Sequence, residues 1–275
     1  MQQSLQCGAR HLDLTEPVIM GVVNVTPDSF SDGGRYSDLE AAYQQARALV
    51  EQGAAIIDIG GESTRPGAAP VPVAEELRRV IPLLEALREL DCILSIDTRK
   101  PEVMAAAVAA GADMINDVNA LRADGALEAV RDSSVAVCLM HMQGQPQSMQ
   151  QAPHYTDVVA EVRQFLQQRA EWLVEQGIDR SRLVLDPGFG FGKTLAHNQA
   201  LFRALPDLVR LEFPVLVGVS RKSMIGALLQ GRPVAGRLQG SVTAALLAAQ
   251  AGARILRVHD VAETHDALTL WQALR

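Results

Sequence analysis

Short apolar runs recur along the chain at fairly even intervals, and nearly every run ends on a polar or ionisable side chain. The runs are continuous rather than alternating, which is typical of strands buried on both faces of a parallel sheet. Eight such strands alternating with helices predict an α/β protein built as a closed (β/α)8 barrel, or TIM barrel. The predicted strands are residues 18–24, 55–60, 93–97, 114–117, 135–141, 183–186, 215–222 and 254–259.

Segments with helical periodicity lie between these runs. Asp38 is placed to cap the first helix, Pro101 suits the first turn of the third, and we expect Pro206 to end the sixth. The predicted helices are residues 38–52, 73–90, 101–111, a short one after 124, 157–176, 197–205, 223–229, 238–250 and 261–274. The length of 275 residues is close to the size of about 250 typical of one such barrel. We therefore predict a single domain over residues 1–275.

Composition narrows the classes of function. The formal net charge of -7 argues against a nucleic-acid partner, so any anion-binding patch must be local. Three cysteines without paired spacing give no disulfide framework and no zinc pattern, and Cys92 and Cys138 are expected in the core. The first residues lack a hydrophobic signal region, and no apolar stretch is long enough to cross a bilayer. We expect a cytoplasmic enzyme with no membrane partner.

Three connections after predicted strands are longer than a barrel needs: residues 26–37, 61–72 and 143–156. Loops of this kind lie at the C-terminal mouth, where barrel chemistry is set. The first two are rich in Gly, Ser, Thr and Asp. We favour their interpretation as long loops that cover the mouth over the alternative of surface decoration.

Polar side chains at the ends of the third, fourth and sixth strands suggest recognition of a flat ring. Asp97, Asn116 and Asp186 would lie at one depth, where carboxylates can accept paired N–H bonds from an amidine-like edge. The alternative is that each acid caps the following helix. We prefer that alternative for Asp117, and structural support for Asp58 inside its strand.

Two other strand ends suggest a bound anion. Asn24 is a hard oxygen ligand in an oxygen-rich segment, which suits Mg²⁺ shared with a phosphorylated substrate. Arg257 and His259 alternate along the last strand, so they point the same way and suit a diphosphate. We rank anion binding above general-base catalysis for His259. The residues around His141 give less indication of a binding site, and we expect it to serve packing or loop anchoring.

Two loop motifs add further anion-binding groups. Residues 60–67, GGESTRPG, combine hydroxyls, backbone N–H groups and an arginine, which suits a phosphate. Residues 220–226, SRKSMIG, lead into a short helix after the seventh strand, where barrels often bind anions. Ser223 is placed to help hold a carboxylate, and Lys222 to donate to a ring oxygen or nitrogen.

Five motifs in order resemble the bacterial dihydropteroate synthase family over nearly the whole chain. They are NVTPDSFSDGG (24–34), GGESTRPG (60–67), DPGFGFGK (186–193), SRKSMIG (220–226) and RVHDV (257–261). The resemblance implies a pterin-binding TIM barrel that uses Mg²⁺, forms a homodimer and is a sulfonamide target. It also implies a step of folate biosynthesis, in which (7,8-dihydropterin-6-yl)methyl diphosphate and 4-aminobenzoate give 7,8-dihydropteroate and diphosphate.

The resemblance also implies roles for individual positions, since each matches a family motif. Asn24 corresponds to the residue that binds magnesium and diphosphate. The positions that it implies for the diphosphate are Thr64, Arg65, Arg257 and His259; those for the pterin are Asp97, Asn116, Asp186 and Lys222; and those around 4-aminobenzoate are Phe30, Pro66, Phe191 and Ser223. One departure is Arg99, where many members carry a small residue.

The residues and the resemblance together predict displacement at a methylene carbon with diphosphate leaving. No activated protein nucleophile is evident, so the protein must position the substrates and stabilise charge. Asp97, Lys222, Arg257 and His259 are the candidate catalytic residues. Two rivals stay open: a methyltransferase that uses methyltetrahydrofolate, which needs no diphosphate site, and a non-catalytic pterin-binding relative.

Overall fold

Eight parallel strands surround one axis in the computed structural model, which describes residues 3–25, 34–63, 67–145 and 148–275. Two short strands, β1 (Ser4–Cys7) and β2 (Arg10–Asp13), form a separate antiparallel hairpin. The barrel strands are β3 (Val18–Asn24), β4 (Ile56–Gly60), β5 (Ile93–Asp97), β6 (Met114–Asp117), β7 (Ala136–Met140), β8 (Leu183–Asp186), β9 (Leu216–Val217) and β10 (Ile255–Val258).

The order β8-β7-β6-β5-β4-β3-β10-β9 follows the chain around the ring. A parallel bridge between Leu185 and Val215 joins β8 to the start of β9 and closes the ring. The amide of Arg254 donates to the Val215 carbonyl at 2.9 Å and holds the other side of the same segment. The predicted (β/α)8 barrel is therefore confirmed.

Helices cover the outside of the barrel between the strands. They are α1 (Gly34–Glu51), α2 (Val73–Leu87), α3 (Pro101–Ala109), α4 (Ala126–Arg131), α5 (Val158–Glu175), α6 (Leu195–Arg203), α7 (Leu205–Val209), α8 (Ser223–Leu228), α9 (Leu238–Gln250) and α10 (Val261–Leu274). Asp157 caps α5 by accepting from the amides of Val159 and Ala160. Helix α1 begins at Gly34, so the expected cap Asp38 lies inside it, and α7 was not predicted; the other helices match the predicted segments closely.

The prediction for Pro206 was wrong. Helix α6 already ends at Arg203, and Pro206 lies in the first turn of α7. A proline fits there because the first amides of a helix have no partner within the helix. The predicted strand over residues 215–222 was also too long, since β9 covers Leu216–Val217 alone. The amide of Lys222 donates to the Val219 carbonyl at 3.2 Å, and this turn takes Lys222 out of the sheet.

Alternate residues of the strands divide between two cores. Those that point outward pack against the helices, for example Ile57, Ile59 and Leu94. Those that point inward near the N-terminal ends form an apolar layer with the hairpin residues Leu5 and Cys7. The members of that layer from the strands are Met20, Ile56, Ile93, Met114, Ala136, Cys138, Val184, Leu216 and Ile255. The inward positions nearer the C-terminal ends are polar, and they build the candidate site.

Candidate active site

The strand register sets the predicted residues at one level of the barrel. Asn24 pairs with Gly60, Gly60 with Asp97, and Asp97 with Asn116. Met140 pairs with Asp186 farther round the ring. Because parallel strands end on the same side, the four predicted residues Asn24, Asp97, Asn116 and Asp186 meet at the C-terminal mouth.

Asp58 lies one layer below this row and connects several of its members. Its side chain is fully buried and accepts from the Ser95 hydroxyl at 2.7 Å, the Asn116 amide at 3.0 Å and Arg257 Nε at 2.7 Å. Arg257 Nη2 donates in turn to Asp97 Oδ2 at 2.8 Å. Structural support was the expected role for Asp58, and these contacts give it that role at the centre of the site.

The other oxygen of Asp97 has no such partner. Asp97 is 8 % exposed, and none of the residues that the structure describes donates a hydrogen bond to its Oδ1 atom. Burial raises the pKa of Asp97 to about 7, although the Arg257 guanidinium opposes the shift. A buried carboxylate oxygen without a donor is costly, so this atom fits a ligand that brings an N–H group.

Asp186 and Lys222 are two further groups of opposite charge at the mouth, and each affects the pKa of the other. Asp186 Oδ1 accepts from the amide of Gly188 at 2.7 Å, and burial raises the pKa of Asp186 against the effect of Lys222. Burial lowers the pKa of Lys222 to about 8, and Asp186 opposes that shift. Lys222 Nζ donates to the Phe189 carbonyl at 2.7 Å and lies 4.7 Å from the centre of the Phe191 ring.

Ser223 follows Lys222 as the first residue of α8. Its side chain is exposed, so it lies at the outer part of the mouth rather than at the depth of Asp97. Phe191 is partly buried and packs beside Met140 and Met142. Ser223 and Phe191 are the two residues predicted to surround 4-aminobenzoate that the structure describes. Both lie near Lys222.

A cavity of about 330 Å³ opens beside the polar row. It is lined by Val22, Asn24, Gln45, Arg221 and His259. His259 Nδ1 lies 3.1 Å from the Ser220 hydroxyl, and Arg221 pairs with both oxygens of Asp260. Asn24 and His259 thus face one space, as expected of an anion site, whereas Arg257 is engaged by the carboxylates of Asp58 and Asp97.

Several predicted features lie outside the described residues. These are Phe30, Thr64, Arg65 and Pro66, with most of the first long loop and the centre of the second. The base of the second loop is described: Glu62 accepts from the amide of Val71 at 2.8 Å, from Arg99 at 3.0 Å and from Lys100 at 2.6 Å. Arg99, the departure from the family pattern, therefore contributes to the base of this loop.

Two neighbouring polar residues serve the scaffold. Asp117 was expected to cap a helix, but it accepts from the amides of Asn119 and Leu121 and so holds a turn before α4. Its residues Ala120 and Leu121 have positive φ, which accounts for the need for a local anchor. His141 is buried, stacks edge-on against Phe165 and contacts Lys193, so its anchoring role is confirmed.

Reasoning from the sequence missed Ser95, Ser220 and Lys193. Ser95 lies two residues before Asp97, so the period of two along a strand could have placed it in the barrel interior. Ser220 and Lys193 lie in irregular segments, where no sequence periodicity indicates which way a side chain points. The part of the chain that the structure describes contains no cluster of three or more His, Cys, Asp or Glu side chains suited to a metal.

None of the helices in the described ranges combines the length and apolar character needed to cross a membrane.

The sequence profile of the pterin-binding enzymes matches residues 20–259. Dihydropteroate synthase of Escherichia coli strain K12 is 51% identical over 263 residues, which cover 95% of this chain and 93% of that protein.

Solved structures agree with this likeness. Xanthomonas albilineans dihydropteroate synthase with 4-aminobenzoic acid is 57% identical and superposes with a TM-score of 0.94, covering 100% of this chain and 98% of that one. The same enzyme in complex with 7,8-dihydropteroate is 56% identical with a TM-score of 0.90, covering 98% of each chain. This chain belongs to the pterin-binding enzyme family and, within it, to the dihydropteroate synthases.

Proposed function

We propose that this chain joins (7,8-dihydropterin-6-yl)methyl diphosphate to 4-aminobenzoate, giving 7,8-dihydropteroate and diphosphate, and so serves folate biosynthesis. The single observation that carries the proposal is a buried oxygen of Asp97, beside the Arg257 guanidinium, to which none of the described residues donates. A pterin presents N–H groups along one edge of a flat ring, so it can supply that donor.

Asp97, Asn116, Asp186 and Lys222 hold the pterin in this proposal. Asp58 fixes Asn116 and Arg257 from below, so the ring meets side chains that are already oriented. Lys222 donates to a ring oxygen or nitrogen, and Asp186 accepts from ring N–H groups. Because two acids face the ring in this proposal, we expect a neutral or cationic heterocycle to bind better than an anionic one.

The chemistry is a displacement at the methylene carbon of the pterin. The C–O bond breaks, its electron pair leaves with the diphosphate, and the amine of 4-aminobenzoate forms the new C–N bond and then loses a proton. The Asp97 carboxylate stabilises the positive charge that develops on the pterin as the bond breaks. Phe30, Pro66, Phe191 and Ser223 surround the aminobenzoate in this proposal, and sulfonamides, which also carry an aromatic amine, compete for the same slot.

The diphosphate occupies the cavity of about 330 Å³ beside the pterin. Asn24 and His259 line that cavity, and Thr64 and Arg65 bind the same group in this proposal. Arg257 keeps a part in it through Nη1, because Nε and Nη2 are already used by Asp58 and Asp97. Its principal effect is then to orient Asp97 and to balance two buried acids.

The Asn24 side chain fits a magnesium ion of a particular kind. The described residues of the cavity offer two neutral side-chain amides, Asn24 and Gln45, and no acidic cluster. Mg²⁺ commonly keeps several waters and binds through substrate phosphates with few protein ligands. Asn24 would hold such an ion together with the diphosphate, and the ion would neutralise charge on the leaving group.

A second proposal concerns the assembly. Large apolar side chains are exposed on α8, the 3-10 turn Val234–Gly236 and helices α9 and α10. They are Leu228, Val234, Leu247, Leu270 and Leu274. We propose that this side of the barrel forms the surface of a homodimer, since clustered apolar exposure favours association. Sedimentation of the purified protein tests it, and a monomer at micromolar concentration would refute it.

The function is tested by turnover with radiolabelled 4-aminobenzoate. We expect labelled dihydropteroate with the pterin diphosphate, none with the free pterin alcohol, and loss of activity when a chelator removes Mg²⁺. Methyl transfer from methyltetrahydrofolate without any diphosphate substrate would favour the methyltransferase instead. Tight pterin binding without turnover of either substrate would indicate a non-catalytic relative.

A further inference from the structure

A buried lysine lies near the end of the loop between β8 and α6, and the proposed reaction gives it no role. Lys193 is 3 % exposed. Its Nζ atom donates to the carbonyls of Gly188 at 2.9 Å, Phe191 at 3.0 Å and His141 at 3.3 Å, and it lies 3.0 Å from His141 Nδ1. One side chain thus joins the loop after β8 to the end of β7.

The loop after β8 packs so closely against the residues after β7 that two of its positions have no room for a side chain. Gly188 and Gly192 have φ of +67° and +60°. A Cβ atom on Gly188 would lie 2.0 Å from the His141 carbonyl oxygen, and one on Gly192 would lie 2.4 Å from the Gln143 carbonyl oxygen. Glycine is required at both positions, which explains the spacing of the DPGFGFGK motif.

This loop in turn fixes groups that face the substrates. The Phe189 carbonyl accepts from Lys222 Nζ at 2.7 Å, and the Phe191 ring lies 4.7 Å from the same nitrogen. The amide of Gly188 holds Asp186 at 2.7 Å. A displacement of the loop would therefore move Phe191 first and would change the surroundings of Lys222 and Asp186.

The three carbonyls around Lys193 favour its ammonium form, whereas burial opposes it. Burial lowers its pKa to about 7, and Asp186 opposes the shift while Lys222 adds to it. Burial and the nearby Lys193 and Arg122 lower the pKa of His141 to about 3, so the imidazole is neutral and can accept through Nδ1. The side chain is enclosed by carbonyls, an imidazole and glycines rather than by substrate groups.

We propose that Lys193 is a positioning residue that shapes the aromatic-amine slot by fixing the loop that carries Phe191. It acts through the three carbonyls and His141 and does not touch the substrates. This inference rests on the proposed function, because it assigns the loop to the slot for 4-aminobenzoate. If Lys193 has this role, its substitution changes the affinity for the amine more than the affinity for the pterin diphosphate.

The test compares Lys193→Met with a matched variant at the other end of the same strand. Arg182 directly precedes β8, is 4 % exposed and donates to the carbonyls of Val135 and Val130 at 2.8 Å each and of Arg131 at 3.3 Å. Each variant removes a buried cation from three backbone carbonyls. Loss of stability alone would therefore affect both variants in the same way.

We expect Lys193→Met to raise the KM for 4-aminobenzoate about tenfold while the KM for the pterin diphosphate changes less than about threefold. Arg182→Met lowers the melting temperature but leaves both KM values unchanged. Wild-type values for Lys193→Met, or equal rises in both variants, would overturn the inference. A wild-type protein without turnover would instead refute the proposed function.

A second pair of variants keeps the test open if Lys193→Met does not fold. His141→Asn and His141→Leu lose the same ring packing on Phe165, but only asparagine keeps an acceptor for Lys193. We expect the KM for 4-aminobenzoate to rise more in His141→Leu than in His141→Asn. Equal values in the two variants would contradict a positioning role for Lys193.

Discussion

The two ends of the barrel interior are built from the same strands but from opposite kinds of side chain. Along β4, Ile56 points into the apolar layer, and Asp58, two residues later on the same face, binds Arg257. Along β5, Ile93 precedes Ser95 and Asp97 in the same way. Two residues of chain therefore separate a core that stabilises the fold from a site that carries charge.

The difference lies in which groups find partners within the protein. The N-terminal end is closed by the hairpin, whose Leu5 and Cys7 are fully buried against the strand layer. The C-terminal end buries Asp58, Asp97 and Asp186 near the cations Arg257, Lys222 and Lys193, yet one oxygen of Asp97 lacks a donor among the described residues. The apolar end is complete without a ligand, whereas the charged end is completed by the substrate.

The largest expected effect is on the charged end. Asp97→Asn keeps the size of the side chain but removes the charge that stabilises the pterin cation. We expect kcat to fall about 100- to 1000-fold, the range seen when one electrostatic contact to a transition state is lost. The affinity for the pterin should fall much less, and steady-state kinetics with direct binding measurements separate the two.

A matched control uses the other end of the barrel. Asp91 is exposed and precedes the same strand β5, so Asp91→Asn changes the net charge equally without reaching the mouth. It should leave kcat unchanged. Turnover of Asp97→Asn at the wild-type rate would remove the proposed electrostatic role.

The apolar end should respond in stability rather than in activity. Ile56 is fully buried between the hairpin and the strand layer. Ile56→Ala should lower the free energy of unfolding by about 2–5 kcal/mol, because it leaves a cavity in a packed core. Its kcat and KM at a temperature where it stays folded should match the wild type. A large change in kcat would show that the two ends are coupled.

The fold was predictable to this depth because buried parallel strands leave a continuous apolar run, and β3, β5, β6 and β8 match their predicted bounds. The apolar runs gave wrong strand bounds where the chain leaves the sheet early, as it does after β9. The hairpin of β1 and β2 escaped prediction because its strands, SLQC and RHLD, contain no continuous apolar run. The single domain over residues 1–275 stays a prediction.

The site was predictable where a polar residue ends a strand, since strand ends converge in a barrel. Asp97, Asn116 and Arg257 are joined through Asp58 in this way. Which of these groups pair with one another could not be predicted. Arg257 was expected to bind the diphosphate, yet two of its nitrogens donate to Asp58 and Asp97. The sequence also gave no sign that Lys193 binds three carbonyls, because those partners belong to the backbone.

A pH titration of pterin binding sharpens the comparison further. The pKa of Asp97 is raised from its ordinary value of 3.8 to about 7, so the acid is protonated below neutrality and then loses an acceptor for the pterin. We expect the affinity for the free pterin alcohol to fall by up to about tenfold per pH unit below pH 7. Calorimetry on Asp97→Asn should show no such dependence.

The same shift has a consequence for the stability of the free protein. A raised carboxyl pKa favours the folded state when the group is protonated, so this contribution is complete below pH 3.8 and is lost as the pH rises through about 7. Ligand binding should therefore protect against unfolding more strongly at pH 8 than at pH 6. Equal protection at both values would contradict an ionised Asp97 in the complex.

The smallest expected effect is at Arg99, which lies at the edge of the charged end. Its ion pair with Glu62 is partly exposed, and Glu62 keeps Lys100 and the amide of Val71 as partners when Arg99 is removed. Arg99→Ser should therefore change the free energy of unfolding by less than about 1 kcal/mol and kcat by less than about twofold. Lys100→Met is the comparison, because Lys100 also pairs with the buried Glu76 and its loss leaves two acids without that cation. A change in kcat above tenfold in Arg99→Ser, with Lys100→Met near the wild type, would mean that Arg99 reaches the substrates and that the charged end extends beyond the barrel strands.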